Sequence, residues 1–100
     1  MGSFAQGAGY TLEVVTLSKV SVTYVNIRRD KISEVESAVF DGTSGSVPPP
    51  VQRTIGSNIG RIVILANALI GENAKVKITS AGNLFEYTVN PDGDLVFDVV

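Results

Sequence analysis

The chain has 100 residues, a formal net charge of −2, and neither cysteine nor histidine. Those absences exclude disulfides, thiolate catalysis, zinc–thiolate sites and any Ser-His-Asp triad, and they remove the commonest general base. Lys and Arg are balanced by Asp and Glu in both halves, so the basic footprint of a nucleic-acid binder is missing.

One hundred residues make one domain with one core. Only 18% of the chain is charged, below the usual quarter. A sparsely charged surface suggests that part of it faces protein rather than water. The longest apolar run, around Ile62 to Ile70, is too short to span a bilayer, and MGSFAQGAGY lacks the charged and apolar regions of an intact signal peptide.

Residues 1–9 are rich in Gly, Ala and Ser, with Phe4 as the one large apolar group. They read as a flexible arm that Phe4 anchors to the body or to a neighbour. From Tyr10 the pattern is β. Tyr10, Leu12 and Val14 alternate with Thr11 and Glu13, and Val20, Val22 and Tyr24 alternate with Lys19, Ser21 and Thr23. Period two with β-branched residues is the strand signature. The phase changes near Leu17-Ser18-Lys19, which marks a bulge or a break. Val25 and Ile27 lie on the opposite face, so that end is expected to be covered on both sides.

Arg28-Arg29-Asp30-Lys31 is the one basic cluster, interrupted by an acid. A solvated turn explains it more simply than a phosphate site. ISEVESAVF over 32–40 fits either a strand or a helix, and its β neighbours favour the strand. Residues 41–60 then read as a long loop. Asp41-Gly42 starts a turn, and Pro48-Pro49-Pro50 favours an extended polyproline form. Proline donates no backbone hydrogen bond, so this is a poor internal strand. The stretch is expected to cross between two sheets or to lie along an edge.

RIVILANA over 61–68 reads as a buried strand. Val76 and Ile78, then Phe85, Tyr87 and Val89, each alternate with polar residues between turns, and Leu95, Phe97 and Val99 alternate with Val96 and Asp98. These forty residues read as a meander of four strands. The expected fold is all-β: a single small sandwich or barrel, jelly-roll or immunoglobulin-like, of about six or seven antiparallel strands over residues 10–100.

Asn90, Asp92 and Asp94 begin like a calcium loop, but no bidentate Glu follows, so a hairpin turn is the plainer reading. Glu34 with Glu36 and Asp94 with Asp98 are same-face carboxylates of the kind that solvated strands carry. Tyr10, Tyr24 and Tyr87 would form a sugar-stacking platform if exposed together, and core residues if not. No catalytic residue, cofactor or metal site is assigned.

The reading is therefore a non-enzymatic structural or interaction protein: a self-associating β-subunit, such as a virion decoration, capsid-stabilising or tail component, or a surface-filament subunit. The alternative is a monomeric carbohydrate- or small-ligand-binding module. The partner is another copy, or a larger assembly such as a capsid, and not nucleic acid or membrane. The location expected is a virion or extracellular surface. The expected contact groups are Phe4, Val47, Pro48, Pro49, Pro50 and Val51. Deleting residues 1–9 is expected to leave the body folded and to weaken association.

Overall fold

Strands form where the sequence alternates, and turns form where it carries Gly, Asn and Pro. The computed structural model describes residues 2–100. It contains nine strands and no helix among the described residues: β1 (Gly2–Phe4), β2 (Gly9–Val14), β3 (Lys19–Arg28), β4 (Ser33–Asp41), β5 (Val51–Thr54), β6 (Ile59–Ile70), β7 (Ala74–Ser80), β8 (Asn83–Val89) and β9 (Asp92–Val99).

They make two open sheets, one five-stranded in the order β1-β9-β6-β3-β4, the other four-stranded in the order β5-β2-β7-β8. The arrangement is a sandwich and not a closed barrel. The core lies between the sheets and is built from the predicted alternation. Leu12 and Val14 of β2 and Val76 and Ile78 of β7 face Val20, Val22, Ile62, Ile64, Leu95 and Phe97, all buried. Each such side chain is worth roughly 1.5–3 kcal/mol of transfer free energy.

The 31–40 segment is strand β4, paired with β3 without a register break. The phase change near Leu17 is a break between β2 and β3, bent at residues 16–17. The proline segment leaves β4 at one edge of the five-stranded sheet and enters β5 at one edge of the other. It is a crossover, as its composition implies.

Four expectations need correction. First, the strand count is nine rather than six or seven, because two short strands carry too few residues to show period two: GSF and VQRT. Second, residues 1–9 are not a free arm. Gly2–Phe4 pairs in parallel with Phe97–Val99. The Gln6 amide donates to the Val100 carbonyl at 2.7 Å, and the Ile55 amide to the Ala8 carbonyl at 3.0 Å. The pairing also means that the strands are not all antiparallel. Third, the 41–60 loop is divided, since β5 occupies 51–54 and pairs with β2. Fourth, the last forty residues are not a meander. β9 pairs with β6, while β7 and β8 form a hairpin in the opposite sheet. β6 and β9 bury one face against that hairpin's sheet, and the chain must change sheets to do so.

Candidate interaction surface

The contact groups expected from sequence do not form one surface. Phe4 is 1% exposed. Its ring stacks on Tyr10 at 5.0 Å and on Phe97 at 4.3 Å between centroids. It is a core residue, unavailable to a partner, because β1 turns that side chain inward. Val51 is half-buried in β5, opposite Leu12. Val47, Pro49 and Pro50 are exposed on the crossover, with Pro48 half-buried. β1 and β4 are opposite edges of their sheet, so Phe4 lies far from the proline segment in strand order.

The tyrosines are placed by the inward face of their strands. Tyr10 and Tyr24 are buried and Tyr87 is half-buried, so they form no exposed platform for a sugar ring. The three hydroxyls are buried without a hydrogen-bond partner among the described residues. Burial raises the pKa of each above the ordinary tyrosine value, since the phenolate would lose its hydration. At Tyr24 the Arg53 guanidinium opposes the rise.

Arg53 is a half-buried cation on β5, at the edge of the four-stranded sheet. Its guanidinium carbon sits 4.0 Å from the Tyr24 ring centroid, and it pairs with Glu36 of β4. This latch joins the two sheets at the β4–β5 edge. One of the two same-face glutamates is therefore a structural ion-pair partner.

The basic turn gathers one residue that spacing did not reveal. Arg28, Arg29 and Lys31 line a shallow depression of about 360 Å³ together with Arg61 of β6. Arg28 pairs with Asp30 at 2.7 Å and Arg61 with Asp98 at 3.0 Å. Two of the four charges are thus spoken for within the chain. Asp92 and Asp94 are exposed on β9, and among the described residues no group of three acidic side chains is placed to hold a metal ion.

The feature that the sequence did not announce lies on the outer face of the five-stranded sheet. Strand register puts Val35 opposite Val25, Val25 opposite Val63, and Val63 opposite Val96. Four valines from β4, β3, β6 and β9 form one row across four strands. At about 4.8 Å per strand the row spans roughly 14 Å. Ile27 adjoins it on one side and Leu65 on the other. Val35 is 63% exposed, Leu65 38% and Val96 37%. β-propensity explains each valine singly, but it does not explain their alignment in register. The visible signal was the apolar Val25 and Ile27 on the face opposite the core set. From the sequence that end of the strand is expected to be covered on both sides, but among the described residues nothing covers the outer face, where Val35, Leu65 and Val96 are exposed.

Comparison with protein-family models, with curated proteins and with solved structures found no match to this chain.

Proposed function

We propose that this chain is a non-enzymatic structural subunit that associates with copies of itself within a larger protein assembly. A virion decoration, capsid-stabilising or tail component, or a surface-filament subunit, is the class proposed, acting in a virion or on an extracellular surface. We take the finer class of the sandwich, jelly-roll or immunoglobulin-like, as part of the same proposal. Its support is the excursion of the chain into the second sheet between the paired strands β6 and β9.

The observation that carries the reading is the valine row on the outer sheet face. A contiguous apolar patch rimmed by polar residues is a protein contact more often than a solvated surface. Its rim here is Ser37, Thr23 and Asp94 on one side and Ser33, Arg61 and Asp98 on the other. A two-fold axis running along the strands between β3 and β6 would set Val35 against Val96 of a second copy, and Val25 against Val63. The same axis would bring Ser33 to Asp98 and Ser37 to Asp94, with no like charges opposed. The face is therefore self-complementary in both shape class and charge.

The test is mass in solution by light scattering after size exclusion, over a concentration series. A closed oligomer or a filament is expected. Leu65→Lys and Val96→Lys, both exposed, should weaken association tenfold or more while leaving the circular dichroism unchanged. A monomer at every concentration would overturn the reading.

A further inference from the structure

The four sheet edges of this sandwich are not alike. β1 and β5 have three and four residues. Short edge strands offer little to pair with. β8 has seven residues, Asn83–Val89, with Glu86 at its centre. Full-length two-fold pairing of β8 with a second copy would place Glu86 against Glu86, which like charge disfavours.

β4 is different. It has nine residues, SEVESAVFD, without Pro, Gly or Lys, and it keeps regular register with β3 along its whole length. The devices that usually blunt an edge are proline, lysine, a bulge or brevity, and β4 has none of them. Inward-pointing charge is another such device, and Glu34 and Glu36 point that way. Glu36, however, is already matched by Arg53.

The hydrogen-bond phase of β4 follows from its flanks. The Arg28 amide donates to the Ile32 carbonyl at 2.9 Å, and the Gly42 amide to the Ser18 carbonyl at 2.8 Å. In an antiparallel pair the bonding residues alternate. The even-numbered residues of β4 therefore bond β3. Ser33, Val35, Ser37, Val39 and Asp41 direct their N–H and C=O groups to the open edge.

We propose that a second copy of this chain pairs with that edge, β4 against β4, antiparallel about a two-fold axis at Ser37. The inference rests on the reading of the chain as a self-associating subunit and names one contact by which it associates. In that register Ser37 faces Ser37, Val35 faces Val39, and Ser33 faces Asp41. Glu34 stands opposite Phe40 and Glu36 opposite Ala38, so no two acids are directly opposed. Every outward backbone group finds a partner, giving about ten hydrogen bonds. The two copies then share one ten-stranded sheet. On its outer side Val35 and Val39 of both copies gather into a single four-valine cluster. This occupant is favoured because it covers two of the most exposed valines, which are 63% and 60% accessible in the isolated chain.

The contact can be tested by cross-linking, because the chain has no native cysteine. A hydrogen-bonded antiparallel pair has Cα atoms about 5.5 Å apart, inside the range a disulfide bridges. Under mild oxidant, Ser37→Cys should give a covalent dimer at least tenfold faster than Thr88→Cys on the β8 edge. Ser37→Pro removes an outward N–H and no β3 bond, so it should fold and lose the dimer. If it misfolds, the cysteine rate alone decides. Should the wild type associate while Ser37→Cys links no faster than Thr88→Cys, the edge contact is wrong and self-association stands. Should the wild type stay monomeric throughout, both readings fall.

Discussion

Arg53 and Tyr24 meet across the gap between the sheets, the guanidinium carbon 4.0 Å from the ring centroid. One residue is on β5 and the other on β3. Their contact and the Arg53–Glu36 ion pair close the same edge of the sandwich. A cation over an aromatic ring contributes about 0.5–2 kcal/mol, and a half-exposed ion pair about 0.2–1 kcal/mol. Arg53→Ala should therefore cost about 1–2 kcal/mol in urea unfolding. Glu36→Gln should cost less than half of that, because it leaves the ring contact intact. Equal costs for the two variants would show that the ion pair carries the latch.

Phe4 is the first aromatic residue of the chain and one of its most buried. Truncation of a buried aromatic costs about 3–5 kcal/mol. Small domains have only about 5–15 kcal/mol to lose. Phe4→Ala should thus lower the urea midpoint sharply, and deletion of residues 1–9 should leave a chain that is largely unfolded. A truncated chain with wild-type stability would show that β1 is dispensable.

The buried tyrosines give the fold an alkaline limit. Their folded pKa values lie above the ordinary value near 10. A group whose pKa is raised by folding contributes stability that is fully present below the unfolded pKa. That contribution is lost as pH climbs above it. The protein should be insensitive to pH through the neutral range and should unfold above about pH 10. Tyrosinate absorbance should rise together with loss of the β-sheet dichroism. A tyrosinate signal that precedes unfolding would mean that the rings are reached by water in the native state.

Two turn glycines separate conformation from crowding. Gly71 and Gly82 both have left-handed φ, +90° and +81°. A Cβ on Gly71 would lie 2.9 Å from the Ser18 hydroxyl oxygen, whereas one on Gly82 meets nothing within 4 Å. Gly82→Ala should cost about 1 kcal/mol, the backbone penalty alone. Gly71→Ala should cost clearly more, read from thermal or urea midpoints. Equal costs would show that Ser18 moves aside freely.

Much of the body was legible in the sequence. The inward faces of β2, β3, β7 and β9 follow from alternation, and Leu12, Val22, Val76 and Phe97 near their centres are buried, whereas β6 is apolar on both faces and Tyr87 of the alternating β8 is only half-buried. Pairing between distant segments was not legible. GSF and VQRT are too short to carry a period, and β1 becomes a strand only because the edge of β9 is free to receive it. Sequence alone lets Phe4 anchor the first strand to the body or to a neighbour, and its stacking on Tyr10 and Phe97 assigns it to the body. The valine row was hidden for a related reason. Val25, Val35, Val63 and Val96 become neighbours only through register, which is a property of strand pairs and not of any one window of sequence. The proline segment drew notice by composition, yet it is a connector, and the broad apolar surface lies on a regular sheet.

The parallel pairing of Gly2–Phe4 with Phe97–Val99 joins opposite ends of the sequence. Contacts between remote segments form only after long loops have closed, and that search is slow. The β3–β4 and β7–β8 hairpins close over short turns and can form early. The seam between the first and last strands must wait until β6 and β9 have met. For that interval the rings of Phe97 and Tyr10 lack their cover, and β4 already presents a finished edge. If copies pair through β4 as proposed, a folding chain is competent to pair before its own core is sealed, and the order of these events then sets whether copies meet as folded bodies or as entangled ones.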